Sequence, residues 1–185
     1  MQTYLLKNGS RLTLREAEPR DAEAMLIFVE QTAHESENLT RGPGEFTLSV
    51  EQERDFLAAS AQAPTSLFLL AEVAGELAGN LNFSAGNRQR IRHIGDMGIA
   101  VLQKYWNLGI GGRLLTYMVD WARATATIRK IDLRVRVDNP AAIHLYEKYG
   151  FVREGRITRG FYLRGEFIDL YTMGLQIDPP ALLEQ

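Results

Sequence analysis

The chain is 185 residues long, carries mixed charges with a formal net charge of −2, and contains no cysteine. That length is ample to bury the core of one domain. No basic field or acidic tail points to nucleic acid or an anionic membrane, and without cysteine there are no disulfides, thiolate metal sites or cysteine nucleophile. The opening stretch MQTYLLKNGSRLTLREAEPRD lacks the basic-then-apolar order of a secretory signal. No apolar run reaches the length needed to span a bilayer, so a soluble, cytoplasmic protein is expected.

Strand-like and helix-like stretches alternate in what reads as a single domain over 1–177, with DPPALLEQ, 178–185, as a tail. Tyr4-Leu5-Leu6 and Leu12-Thr13-Leu14 flank Asn8-Gly9, a dipeptide that tolerates the positive φ angles of a tight hairpin. Asp21 is placed to cap a helix in which Ala22, Met25, Leu26, Val29 and Ala33 recur at helical spacing, ending near Glu37. Asn38 to Leu48 carries two glycines and a proline and reads as a loop. Ser49 and Gln52 form a capping box for a second helix, with Phe56 and Leu57 as its buried side. The acids Glu51, Glu53 and Asp55 on that helix read as a solvated face.

From Ser66 the stretches SLFLLAEVAG and ELAGNLNFSAG predict a hairpin around Ala74-Gly75-Glu76, and Arg92 to Val101 reads as another strand. Beyond the glycine-rich WNLGIGG, 106–112, the residues Leu114, Leu115, Met118, Val119 and Ala122 predict the clearest helix of the chain. Lys130 to Val137 alternates apolar Ile131, Leu133, Val135 and Val137 with charged neighbours, as a half-buried strand does. Asn139, as cap, and Pro140, at the first helical position, start a short helix that ends at Gly150. The remainder, to Ile177, predicts two long strands joined near Arg164-Gly165.

A glycine-rich turn between a strand and a helix sets unpaired backbone N–H groups at the positive end of a helix dipole, where phosphate is the natural guest. The same glycines also suit a tight turn or close helix packing. A Walker loop needs Lys-Ser or Lys-Thr after its last glycine, whereas Gly112 is followed by Arg113 and Leu114. A dinucleotide fingerprint opens the first βαβ unit with GxGxxG; here Gly109, Gly111 and Gly112 give GxGG late in the chain, which speaks against nicotinamide chemistry.

Two stretches carry a family resemblance. VLQKYWNLGIGGRLL resembles the Q/R-x-x-G-x-G/A pyrophosphate loop, and DNPAAIHLYEKYGF the N-x-x-A-x-x-L-Y-x-x-x-G-F segment, of the GNAT superfamily of acyl-CoA-dependent N-acyltransferases. The two lie about thirty residues apart in the expected order, and the likeness extends over roughly Leu12 to Leu175. It implies an α/β (α+β) fold: a central mixed, mostly antiparallel twisted sheet of about seven strands, flanked by about four helices. It also implies acetyl-CoA as cosubstrate, direct transfer to a primary amine without a covalent intermediate, and a homodimer. A second function class with the same fold is a non-catalytic acyl-CoA-binding or regulatory domain.

The resemblance assigns the pantetheine arm to the backbone of Ile99, Ala100 and Val101, on a strand that splays from its neighbour. It assigns the pyrophosphate to the loop Trp106, Asn107, Leu108, Gly109, Ile110, Gly111 and Gly112, with Arg113 able to add charge and Asn139 a cofactor contact as well as a cap. Trp106 departs from the Gln or Arg usual at its position; since such a loop binds through backbone N–H groups, the change is compatible with binding. Ile99 and Val101 can pack in a core while their backbones hold the cofactor.

Transfer requires a neutral amine, oxyanion stabilisation and a proton for the departing thiolate. By the resemblance, Tyr146 matches the general-acid tyrosine, against the plainer reading of a buried aromatic. Asp96, five residues before Val101, matches a strand glutamate that accepts the amine's proton, here through a bridging water because Asp is shorter. His93 is a second candidate base by its pKa range. His34 and His144 read as surface or packing residues, and three histidines without chelating spacing predict no metal. Glu30, Glu35 and Tyr162 fall on the segments that border the acceptor in this family. Candidate acceptors are an amino acid, a polyamine, an aminoglycoside-like drug or a protein N-terminus.

Overall fold

A computed structural model describes residues 1–178, so the tail expected from Asp178 onward lies, but for Asp178 itself, outside the described residues. Eight strands and four α-helices alternate along the chain. They are β1 Gln2–Leu5, β2 Arg11–Glu16, α1 Ala22–Glu35, α2 Val50–Gln62, β3 Ser66–Val73, β4 Glu76–Ala85, β5 Ile94–Val101, α3 Ile110–Ala124, β6 Lys130–Arg136, α4 Pro140–Lys148, β7 Val152–Leu163 and β8 Glu166–Gln176. The strands are hydrogen-bonded in the order β1-β2-β3-β4-β5-β6-β8-β7. This is the expected mixed, mostly antiparallel sheet with four helices, but with eight strands rather than about seven, because β1 pairs with β2 along its whole length, Gln2↔Leu14 to Leu5↔Arg11. Among the described residues no helix is long and apolar enough to cross a membrane.

Two compact units divide the chain: residues 1–83 with 98–114, and residues 84–97 with those from 115 on. In the first unit the β1–β2 hairpin turns where expected, with Asn8 Oδ1 accepting from Ser10 N–H at 3.1 Å. The β3–β4 turn uses left-handed backbone at both Ala74 (φ 52°) and Gly75 (φ 83°), the pairing that two-residue hairpins require. Asp21 precedes α1 without capping it through its side chain. Its carboxylate instead accepts from Arg15 and from the Glu18 backbone N–H at 2.8 Å, closing the short 3-10 turn Pro19–Asp21. α1 stops at Glu35, two residues before the expected end, as Ser36 turns extended.

The capping box of α2 forms as expected, Gln52 N–H to Ser49 Oγ at 3.1 Å and Ser49 N–H to Gln52 Oε1 at 2.9 Å. Its buried face differs from expectation. Phe56 is 48% exposed and meets Phe68 edge-on, while Glu53 (2%) and Leu57 (1%) are buried. Residues four apart share a helix face and adjacent ones do not, so Leu57 carries Glu53 inward with it and turns Phe56 outward. Leu57 packs in one cluster with Met25, Phe28, Leu70 and Leu102, and Ala100 and Tyr105 pack against that cluster.

In the second unit β5 and β6 run parallel through three residue pairs, Ile94↔Lys130 to Asp96↔Asp132; residues Met97–Val101 of β5 lie outside that ladder. β5 starts at Ile94 rather than Arg92, since Arg92 and Ile94 N–H groups close turns onto Arg88 and Ile91. β6 buries Ile131, Leu133 and Val135 as its alternation predicts, and α3 buries Leu114, Leu115, Met118, Val119 and Ala122. β7 and β8 join at Arg164 (φ 50°) and Gly165 (φ 87°), again a two-residue turn.

Candidate active site

The junction after β5 is clamped from several directions within the first unit. Leu102 is buried and its N–H bonds Ala78 O at 2.9 Å. Gln103 donates its backbone N–H to Glu35 at 2.6 Å, and the Lys104 ammonium and Tyr105 hydroxyl both reach Glu76, the latter at 2.8 Å. The Lys104 and Tyr105 bonds hold the Glu76 carboxyl below its usual range. With each residue from 102 to 105 fixed, the following turn starts from a set position.

Trp106 is 42% exposed, and its indole N–H donates to Val101 O at 2.6 Å. The ring therefore folds back on β5 and takes one of the backbone acceptors that the resemblance assigns to the pantetheine arm. Asn107 (φ 63°) and Gly109 (φ 91°) are left-handed. A Cβ on Gly109 would meet nothing within 4 Å, so backbone conformation, not crowding, is what asks for glycine there. α3 starts at Ile110, and the Arg113 N–H bonds back to Gly109 O at 3.2 Å. The N–H groups of Ile110 and Gly111 come before any acceptor the helix can offer, at the positive end of its dipole. An anion is their complementary guest. Arg113 lies with its guanidinium 4.4 Å from the centre of the Tyr4 ring, stacked rather than extended.

The other candidates belong to the second unit. Asn139 caps α4, Oδ1 accepting from Ala142 N–H at 3.2 Å, with Pro140 at the first helical position. Tyr146, on the buried face of α4, is 8% exposed and packs against Phe151 with ring centres 5.8 Å apart. Burial pushes its hydroxyl pKa up to about 12. Asp96 is exposed between buried Gly95 and Met97, so its carboxylate stands on the opposite face of the strand from Met97. His93 is engaged through its backbone carbonyl, which accepts from Arg129 and Lys130. Tyr162, 64% exposed near the end of the β7–β8 hairpin, packs against Phe167 with ring centres 5.1 Å apart and planes tilted by 50°.

The two acids of α1 assigned to the acceptor have structural partners. Glu30 accepts from the Gly44 backbone N–H at 3.1 Å and pairs with His34, tying the loop to α1. Glu35 accepts from Gln31 at 2.9 Å and from Gln103, tying α1 to the clamped junction. Among the described residues no group of three His, Cys, Asp or Glu is placed to hold a metal ion.

The sequence matches the Acetyltransferase (GNAT) family over residues 30–151, more than half of the chain and all of the glycine-rich turn and α4. The chain belongs to the GNAT acetyltransferase family. It is 31% identical over 166 residues to the L-amino acid N-acetyltransferase AaaT of Escherichia coli K12, covering 89% of this chain and 97% of that one. A GNAT-family acetyltransferase from Streptococcus pneumoniae has a TM-score of 0.88 and 40% identity, covering 90% of this chain and 99% of that one. The fold is also that of YncA, a Salmonella typhimurium protein solved with acetyl-CoA, with a TM-score of 0.79 and 20% identity over 92% and 96% of the two chains. The protein is an acetyltransferase enzyme, which sets aside the non-catalytic alternative.

In this GNAT enzyme one buried acid escapes a reading by motif. Glu53 is almost wholly enclosed; burial raises its carboxyl pKa and the charge of Arg41 only partly opposes that. Its Oε2 is covered and receives no hydrogen bond. The signal available in the sequence was its position four residues before Leu57, which outweighs the acidic company of Glu51 and Asp55.

Proposed function

We propose that this GNAT acetyltransferase moves an acetyl group from acetyl-CoA to the primary amine of a small molecule or protein N-terminus, by direct attack and in the cytoplasm. The observation that carries the reading is the clamped turn, whose left-handed Asn107 and Gly109 open α3 with its first N–H groups ahead of any helical acceptor. Pyrophosphate is assigned to the loop from Trp106 to Gly112. The pantetheine arm is assigned to the backbone of Ile99 and Ala100, with the Val101 carbonyl shared with or held by Trp106. Arg113 serves the phosphates by leaving Tyr4, and Asn139 adds a contact while capping α4.

When bound, acetyl-CoA supplies the activated thioester carbonyl. Asp96, open to solvent, accepts the amine's proton through water. Tyr146 keeps its proton at any physiological pH. That proton is therefore present to be donated to the departing CoA sulfur as charge develops there, the general-acid role assigned to Tyr146. Absence of cysteine fits a reducing compartment. AaaT, by its name, acts on L-amino acids, and this acceptor class ranks first here.

Calorimetry with acetyl-CoA and thiol release across a panel of amines form the test. Binding at about 100 µM or tighter, with release that depends on an added amine, is expected. Failure of both overturns the reading.

A further inference from the structure

Glu53 shares the inner face of α2 with Leu57, one helical turn away. Leu57 belongs to the cluster that includes Phe28 and Leu102 and against which Ala100 of β5 packs. The carboxylate of Glu53 thus lies on the inner face of α2, the helix that packs on α1, the 3-10 turn Pro19–Asp21 and β3, one turn nearer than Leu57 to the N-terminus of α2 and the loop 38–48. An isolated buried carboxylate is costly in the ionised form. Arg41, the opposite charge acting on it, is itself exposed with its guanidinium 4.5 Å from the centre of the Phe46 ring, and the covered Oε2 of Glu53 receives no hydrogen bond. The contrast with its neighbours is chemical: Glu30 and Glu35 have spent their oxygens on backbone N–H groups of the loop and of the junction after β5. Glu53 is the acid of α1 and α2 that is both enclosed and unspent.

We propose that Glu53 is the acceptor-binding carboxylate of this enzyme, receiving in a charge-assisted hydrogen bond a positively charged group of the acceptor other than the amine that is acetylated, and that the acceptors are therefore small molecules with a second cationic group, basic L-amino acids and polyamines among them. A ligand ammonium replaces the water that the carboxylate lost on burial, which neither the loop nor Arg41 does. This inference rests on the acetyl-transfer reading above.

The test uses the full chain, acetyl-CoA, and a panel of the twenty L-amino acids plus spermidine, comparing wild type, Glu53→Gln and Glu53→Asp by thiol release, with folding checked by circular dichroism melting. For the amine the wild type uses best, Glu53→Gln is expected to raise the acceptor KM at least tenfold. Its kcat should stay within about threefold and its acetyl-CoA KM unchanged, and Glu53→Asp should recover part of the loss. An acceptor KM equal to wild type in a folded Glu53→Gln protein overturns the proposal and leaves a structural acid. If Glu53→Gln does not fold, Glu53→Asp decides: it shortens the reach of the charge, and an unchanged acceptor KM is equally fatal. Failure of the parent reading shows in the wild type alone, as no amine-dependent thiol release, and takes this assignment with it.

Discussion

Two buried carboxylates of the first unit receive opposite treatment. Asp21, 8% exposed, accepts from both terminal nitrogens of Arg15 at 2.6 and 2.7 Å and from the Glu18 backbone N–H, while Arg15 is shared with Glu72. Burial pushes its carboxyl up, but those bonds outweigh burial and hold it below its ordinary 3.8. Glu53, 2% exposed, has an Oε2 that no donor reaches and only the charge of Arg41 to oppose burial, and it rises above its ordinary 4.5. The difference lies in what replaces water: a guanidinium fork and a backbone N–H in one case, only the charge of Arg41 with no hydrogen bond to Oε2 in the other. Asp21 joins β2 to the start of α1 and is architecture. Glu53 is an acid kept for a partner that arrives from solution. Tyr146, in the second unit, follows the pattern of Glu53, with burial as the cause of its shift.

Removing the satisfied acid should do the most damage to stability. Asp21→Ala leaves Arg15 with Glu72 alone and is expected to cost about 2–3 kcal/mol, somewhat under the ~3–5 of a fully buried pair because Arg15 keeps some solvent. Urea denaturation reads this, and an unmoved midpoint would show that Glu72 alone suffices. Tyr146→Phe should leave stability and acetyl-CoA affinity nearly intact while lowering kcat by about 100-fold or more, the contribution typical of an acid–base group. Unchanged turnover would remove Tyr146 from the chemistry.

The smallest effect is a pair of opposed pH slopes. Asp21, depressed on folding, contributes stability that is present above its unfolded value and lost as pH falls through its lower folded one. Glu53, raised on folding, contributes stability that is present below its unfolded value and lost as pH rises through its higher folded one. Melting temperature should therefore decline on both sides of the acid range, and Glu53→Gln should flatten only the decline toward neutral pH. A wild-type profile that lacks this second decline would break the comparison.

Local punctuation made much of the fold legible. Ser49 and Gln52 marked the start of α2, Asn139 and Pro140 that of α4, and Arg164-Gly165 the last hairpin, because caps and two-residue turns depend on neighbours along the chain. The glycine spacing after β5 and the Tyr146 motif pointed to the family for the same reason: binding by a helix N-terminus is a local property. Less was legible where partners come from far away. That Arg113 stacks on Tyr4 and that Glu35 holds Gln103 are contacts between segments no spacing connects, and they fix the chain on both sides of Trp106, whose own bond to Val101 spans five residues. They explain how a loop lacking its usual Gln or Arg is still held in place.

The acids mark the boundary most clearly. By itself the sequence determined the alternation of elements, the glycine turn and the family, since periodicity, capping and backbone conformation are written in neighbouring residues. It put Glu53 on a solvated face and, through the resemblance, Glu30 and Glu35 on the segments that border the acceptor. Only the tertiary structure decided that Glu30 and Glu35 spend their oxygens on backbone N–H groups while Glu53 is enclosed and unanswered. The reason is that the state of a charge is set by what replaces its water, and that is supplied by residues brought close only when the chain has folded.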